Sequence, residues 1–181
     1  MKSIFVAIFA LLIAGCSSNT PVLGLSPYIS AATPQAKTKS AGELNIKDSR
    51  QNSLIIGTIN DNSGNLIDEV LLKTDLSSWF ENAFKTELGA RGVAIGAGGA
   101  NISVDIKTLN AAIEGYSKQN MSAKAEVFIT IVNGTRTITK RVAQDQSEFA
   151  ALRNARTMEP FVESMLRDII KKSADQIVSS L

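Results

Sequence analysis

The segment Met121–Val142 reads MSAKAEVFITIVNGTRTITKRV and carries the strongest structural signal in the chain. Apolar and polar residues alternate on both sides of the pair Asn133-Gly134. Alternation predicts strands with one buried face, and Asn-Gly predicts the turn between them because both residues tolerate a positive φ. A two-residue turn at this pair would place Ile129 opposite Ile138. The segment therefore predicts a long antiparallel hairpin.

The second strand of this hairpin carries three basic residues, Arg136, Lys140 and Arg141. They stand among threonines at alternate positions, which is typical of a strand with access to solvent. Two interpretations remain open for them. The three side chains either form an anion-binding strip within an interaction surface, or they belong to an ordinary solvated strand face.

Shorter patterns before the hairpin predict more strands. Runs at residues 43–50 and 54–59 are separated by a polar turn, and residues 61–68 read as a loop. A short strand at 93–95 precedes Ile102–Ile106, where apolar and polar residues alternate strictly. Strict alternation indicates a sheet that is covered on one face only.

Asp48 and Arg50 stand at the end of the first of these predicted strands. They could form a surface contact for a partner, or a local ion pair at the end of a strand. Exposed ion pairs contribute only about 0–1 kcal/mol, so stability alone would not require this one. Both interpretations stay open at this point.

Two amphipathic helices complete the pattern. One follows Asp75, a favourable N-cap, and the other is predicted to open near Pro160, which suits a first helical position. The sequence thus predicts a two-layer α+β domain, in which a largely antiparallel sheet carries the two helices packed on one face. The predicted core consists of Leu76, Trp79, Phe80, Phe84, Phe161, Met165, Ile169 and Ile177, together with Ile102, Val104, Ile106, Val127 and Ile129.

The N-terminus has the order of a lipoprotein signal peptide. Lys2 precedes an apolar run from Ile4 to Ile13, and the small pair Ala14 and Gly15 follows directly before Cys16. Ten apolar residues rise only about 15 Å as a helix, half of a roughly 30 Å bilayer core, so the run is too short to span. The four residues Ile13–Cys16 resemble the bacterial lipobox. The resemblance implies cleavage before Cys16, a thioether-linked diacylglycerol and an N-linked acyl chain such as palmitate.

This pattern divides the chain into a signal peptide at 1–15, a lipidated cysteine with a flexible tether at 16–41, and a single domain at 42–181. By analogy with lipoprotein sorting in many Gram-negative bacteria, Ser17 favours the outer membrane. We therefore expect a lipid-anchored protein on the periplasmic side of the outer membrane. Apart from the covalent lipid, no cofactor is predicted.

Composition excludes several function classes. The chain of 181 residues has no histidine, which removes the commonest general base and metal ligand, and its single cysteine rules out an internal disulfide. Its 19 basic and 17 acidic residues are nearly balanced, so nothing electrostatic indicates nucleic acid. No metal site and no catalytic residue is predicted.

The whole chain resembles the YajG family of bacterial lipoproteins. The likeness lies in the lipobox, Asp48-x-Arg50, the helix end Glu87–Gly92, the alternating Ile102–Ile106 strand and the hairpin with Asn133-Gly134. The resemblance implies a lipoprotein of the cell envelope and supplies no catalytic residues.

We therefore expect a non-enzymatic outer-membrane lipoprotein that binds an envelope partner or assists assembly, through its exposed sheet face, an edge strand or the tether. The alternative is a periplasmic carrier of lipid or glycan. An envelope hydrolase is a distant third, with carboxylates drawn from Asp48, Glu69, Asp105, Glu114 and Glu126. The sequence does not predict the partner or the oligomeric state.

Overall fold

The computed structural model describes residues 20–181, so the predicted signal peptide, Cys16 and Ser17 lie outside the described residues. Its elements in chain order are β1 (Val22–Leu23), β2 (Lys39–Asp48), β3 (Ile55–Asn60), β4 (Leu66–Leu72), α1 (Leu76–Ala90), β5 (Val93–Ile95), β6 (Ala100–Glu114), β7 (Met121–Asn133), β8 (Arg136–Glu148) and α2 (Ala155–Val178). The eight strands form one sheet, curled into a half-barrel. The α+β class with two helices is confirmed.

The sheet is mixed, which corrects the expectation of a largely antiparallel one. β7 pairs antiparallel with one edge of the central strand β6, while β2 and β3 pair parallel with successive lengths of its other edge. β1 with β4 and β2 with β5 are also parallel, and β3 with β4 and β7 with β8 are antiparallel. The expectation was wrong because the connection 49–54 continues in the direction of β6 and does not reverse the chain, so β2 and β3 both run parallel to β6.

The hairpin β7–β8 forms as predicted, but its register differs by two residues. Asn133 pairs with Arg136, so the turn residues are Gly134 and Thr135, and Ile129 lies opposite Lys140. Gly134 has φ +57°, and no described residue other than glycine has a positive φ. A turn with glycine at its first central position needs only that one positive φ, which explains the shift. A two-residue shift leaves each side chain on its predicted face.

Two other boundaries also differ from expectation. β4 begins at Leu66, inside the segment predicted as a loop, because Asp61 accepts hydrogen bonds from the Ser63 and Asn65 amides, both at 2.8 Å, and closes the turn early. α2 begins at Ala155 rather than near Pro160, since the Asn154 side chain caps it by accepting from the Thr157 amide at 2.9 Å. Pro160 sits one turn inside, where it leaves the carbonyl of exposed Arg156 to solvent.

The predicted core is confirmed in full. α1 starts after the Asp75 N-cap as expected, and it contacts β2 and β5, while α2 contacts β7 and β8. All thirteen predicted core residues are buried. Within residues 20–181, no helix is both long enough and apolar enough to cross a membrane.

Candidate interaction surface

β8 is an edge strand with a long free side. It pairs with β7 over its full 13 residues without a register shift, and within residues 20–181 no strand pairs with its other side. It contains no proline and no bulge, two of the devices that protect such edges, although charged side chains such as Lys140 and Arg141 lie along it. The unpaired backbone groups of an edge this long are a template for another strand.

The turn geometry decides which backbone groups of β8 point outward. Asn133 and Arg136 close a two-residue turn, so they form a hydrogen-bonded pair, and hydrogen-bonded and non-hydrogen-bonded pairs then alternate along the ladder. The odd-numbered residues therefore turn their amide and carbonyl groups toward the free side. We call this set the open edge: Thr137, Thr139, Arg141, Ala143, Asp145 and Ser147, all exposed.

A groove of about 300 Å³ runs beside the C-terminal part of the open edge, between β8 and the first turns of α2. It is lined by Gln146, Pro160 and Phe161 among others, and the Gln146 side chain donates to the Phe161 carbonyl at 3.1 Å. An added strand would therefore find a place for side chains next to the backbone it pairs with.

The structure does not gather the three predicted basic residues on one face. Arg136 and Lys140 share the face of Ile138 and Val142, which pack toward the core, whereas Arg141 points to the opposite face and donates to Glu126. All three nevertheless lie on the strand with the free side. Their common feature is thus the edge rather than an anion-binding strip.

Asp48 and Arg50 occupy a different kind of place. Their side chains are only 12% and 4% exposed, and the guanidinium makes a bidentate ion pair with the carboxylate at 2.9 and 2.8 Å. Arg50 also donates to the carbonyls of Ser53 at 2.7 Å, Ile55 at 3.2 Å and Leu109 at 3.4 Å.

These carbonyls surround the gap where β2 has ended and β3 has not yet begun to pair with β6. On this edge of β6, β2 pairs as far as Ile106 and β3 pairs from Ala111 onward, so Leu109 has no strand beside it there. The Arg50 guanidinium supplies the donors that a strand would have supplied. The structure therefore places Asp48 and Arg50 within the fold and not on a binding surface.

The sequence did not predict a second buried charge cluster, which holds the segment before β2 against α1. Glu87 is 1% exposed, and it accepts from Tyr28 at 2.8 Å, Ser30 at 2.5 Å and Arg91 at 2.7 Å. Arg91 also pairs with Asp175 of α2. The sequence signal was present, because Glu87 lies on the apolar stripe of α1, where an acid needs partners.

Other contacts hold the same segment. Trp79 donates from its indole nitrogen to the Ser26 carbonyl at 2.8 Å and packs edge-on against Tyr28. Leu23 is fully buried in β1. At Gly92, φ is +78° and an added Cβ would approach the Ala36 carbonyl oxygen to 2.4 Å, so only glycine fits under the segment.

Electrostatics keep Glu87 ionised. Burial works to raise the pKa of its carboxyl group, but hydrogen bonds from Ser30, Tyr28 and Arg91 outweigh burial and hold this pKa below its usual value. Burial and the hydrogen bond to Glu87 raise the pKa of the Tyr28 hydroxyl in turn. The cluster therefore attaches the segment before β2 to α1 through an ionised, fully paired carboxylate and is not a reactive group.

Three of the candidate hydrolase carboxylates have cationic partners of their own: Asp48 with Arg50, Asp105 with Lys107, and Glu126 with Arg141. Among residues 20–181, no three His, Cys, Asp or Glu side chains are grouped so that they could hold a metal ion. Larger grooves include one of about 810 Å³ beside β2 and Gly96, one of about 470 Å³ between Tyr28, Trp79 and Thr86, and one of about 400 Å³ beside Arg141 on β8.

Comparison with known proteins gives a family and a fold. A family model described as "Uncharacterized lipoprotein" matches residues 27–178. A crystal structure of a DUF330 protein from Xanthomonas campestris matches with a TM-score of 0.58 at 13% identity, covering 90% of this chain and 100% of that one. The crystal structure of an uncharacterised protein matches with a TM-score of 0.50 at 8% identity, covering 82% and 99%. At these identities the likeness shows the fold alone. No curated protein matches the sequence.

Proposed function

Since the chain belongs to this family of uncharacterised lipoproteins, we propose that it is a non-enzymatic lipoprotein of the outer membrane that binds an envelope protein by strand addition along β8. Family membership implies a lipid anchor in an envelope membrane. Attachment through Cys16, sorting by Ser17 and the narrower kinship with the YajG family are parts of the proposal.

The open edge is the observation that carries the proposal. An extended peptide that pairs with an exposed strand gains main-chain hydrogen bonds along its whole length, and side-chain pockets beside the strand supply specificity. β8 offers six outward-facing residues and, through the groove at Phe161, one such pocket. Proteins normally shield edges because they invite pairing, so a 13-residue edge with neither proline nor bulge favours a role in binding.

The arrangement of carboxylates supports a non-enzymatic role. A hydrolase with paired carboxylates needs two carboxyl groups that lie close together beside a place for substrate. Asp48 and Glu126 each form an ion pair with an adjacent arginine, and they belong to different parts of the sheet. Hydrolysis of envelope substrates by the purified protein, abolished by substitution of one acidic residue, would contradict this part of the proposal.

Site-specific photo-crosslinking in cells tests the binding role. We would place the crosslinker at Thr139 or Ala143 on the open edge, and at Ser103 as a matched control. Ser103 is also exposed on the outer face, but it lies on the central strand β6. The proposal predicts that one dominant protein is captured from both edge positions and not from Ser103. Equal capture from all three positions would contradict strand addition.

The carrier hypothesis rests on the groove between Tyr28, Trp79 and Thr86, whose 470 Å³ lies within the size range of small-molecule sites. A crosslinker at Asn82, which lines this groove, serves as its test. Capture of lipid or glycan at Asn82, with no protein captured along β8, would favour the carrier function instead. Native mass spectrometry of the purified protein would then identify the bound molecule.

A further inference from the structure

We propose that one end of the domain rests on the lipid bilayer that holds the anchor, with the exposed apolar side chains of this end entering the membrane interface. We call this end the tip, and it consists of Leu66, Ile67, Tyr116, Phe149 and Leu152. The inference rests on the acylation of Cys16 proposed above. It adds an orientation of the domain, with a lipid surface as a second binding partner.

The tip is built from three chain segments: the turn between β3 and β4 with the first two residues of β4, the turn between β6 and β7, and the connection from β8 to α2. Arg153 joins all three, because it donates to the Asn60 carbonyl at 3.3 Å and its guanidinium lies 4.4 Å from the centroid of the Tyr116 ring. Buried Asn120 donates to the carbonyls of Gly115 and Ala150 at 2.9 and 3.0 Å. These contacts hold the segments as one surface.

Apolar exposure is concentrated at this end. The described residues expose nine large hydrophobic side chains, and five of them belong to the tip, with exposed fractions between 51% and 65%. Clustered apolar exposure marks an interaction site, whereas scattered single residues do not. A tyrosine among them suits a membrane interface, where its ring is buried and its hydroxyl stays hydrated.

The path of the chain identifies the bilayer as the occupant. β1 runs parallel to β4, with Val22 opposite Leu71 and the Pro21 carbonyl accepting from the Leu71 amide at 2.9 Å. Going backward from Val22 therefore leads toward the start of β4 at Leu66, which is part of the tip. Four residue steps separate Thr20 from Cys16, and they can span at most about 14 Å. An acyl anchor on Cys16 thus keeps the bilayer within reach of the tip.

Charges near the tip are mixed, so apolar burial rather than attraction to anionic lipid would drive the contact. The basic residues are Lys118, Arg153 and Arg156, and the acidic ones are Asp61, Asp68, Glu114 and Glu148. The contact should therefore persist in phosphatidylcholine bilayers and at high salt.

Depth-dependent fluorescence quenching tests the orientation in the full-length acylated protein. Cys16 is the only native cysteine, and lipid occupies its sulfur in the acylated protein. A cysteine introduced elsewhere is therefore the single free thiol. Leu152→Cys and Phe149→Cys would carry a polarity-sensitive dye, and Val132→Cys serves as the control. Val132 is also an exposed apolar residue, at the opposite end of β7. In phosphatidylcholine nanodiscs, spin-labelled lipid should remove most of the dye emission at Leu152 and Phe149 and leave Val132 unchanged.

Two outcomes would overturn the inference. Emission at Leu152 that is neither quenched by spin-labelled lipid nor blue-shifted would show that the tip stays in water. Emission that is blue-shifted but not quenched would show that the tip is buried against protein. The mass of the acylated protein separates these results from a failure of the proposed anchor. Replacing Tyr116 and Phe149 with serine should abolish the quenching at Leu152, whereas Ile29→Ser, another exposed apolar site, should not.

Discussion

Arg50 and Arg141 show how differently two arginines can be used in one sheet. The Arg50 side chain is 4% exposed and reaches Asp48 and three backbone carbonyls, whereas the Arg141 side chain is 62% exposed and pairs with Glu126 alone. Arg50 stands at a gap between strands, and Arg141 stands on a strand with a free side. The role of a charged side chain in this sheet is therefore set by whether the neighbouring backbone already has partners.

The largest effect is expected from Arg50→Met. Removing one partner of a buried ion pair leaves the Asp48 carboxylate unpaired, so the free energy of unfolding should fall by about 3–5 kcal/mol. Urea denaturation of the full-length protein measures this. Arg50→Lys keeps the charge without the bidentate geometry, so its free energy of unfolding should lie between those of the wild type and Arg50→Met. A loss below about 1 kcal/mol for Arg50→Met would mean that the pair behaves as an exposed one, which would erase the contrast with Arg141.

Glu87→Gln probes the other buried charge and should cost about 2–3 kcal/mol at neutral pH, because hydrogen bonds to a charged acceptor are lost. The folded-state pKa of Glu87 is depressed, so its contribution is present above the ordinary value of 4.5 and is lost as the pH falls through the folded-state pKa.

The stability difference between wild type and Glu87→Gln should consequently shrink in acid. Denaturation at neutral pH and near pH 3 would show this. Glu81→Gln is the matched control, since Glu81 forms an exposed pair with Lys85 on the same helix and should change stability by less than about 0.5 kcal/mol. Equal pH dependence for wild type and Glu87→Gln would refute the assignment.

A pair of proline substitutions tests which amides of β8 face outward and which bond to β7. Thr139→Pro removes an outward-facing amide and should cost little, whereas Lys140→Pro removes an amide bonded to β7 and should cost about 2 kcal/mol more. Thermal denaturation compares the two variants. Thr139→Pro should also abolish crosslinking of the partner while the protein stays folded. Similar stability losses for both variants would show that the inferred alternation is wrong.

The smallest effect is expected from Arg141→Ala. The pair with Glu126 is exposed, so the free energy of unfolding should change by no more than about 1 kcal/mol. The same urea titration as for Arg50→Met measures it. A loss comparable to that of Arg50→Met would contradict the distinction between the gap and the free strand.

Local pattern predicted much of this fold. The alternation in Ile102–Ile106 and the spacing around Trp79 identified buried faces correctly, because side-chain periodicity depends only on neighbours along the chain. The strand order could not be predicted in this way. Whether β2 and β3 pair with each other or with β6 depends on segments more than fifty residues later. No local signal distinguishes a connection that reverses the chain into an antiparallel strand from one that continues it into a parallel strand.

The candidate surface was predicted only in part. The sequence placed Arg136, Lys140 and Arg141 on one strand, but an edge strand is defined by what does not pair with it, which requires the whole topology. The hairpin register failed for a more local reason. Both Asn133 and Gly134 could have started the turn, and one positive φ at Gly134 sufficed.

Residue-resolved amide hydrogen exchange along β8 tests the central claim most directly. In the full-length protein alone, we expect rapid exchange at Thr139, Arg141 and Ala143 and slow exchange at Lys140 and Val142. After addition of the partner that crosslinking has identified, exchange at these three amides should become slow. Uniform protection without a partner would show that the edge is already covered, and exchange unchanged by the partner would show that binding takes place elsewhere.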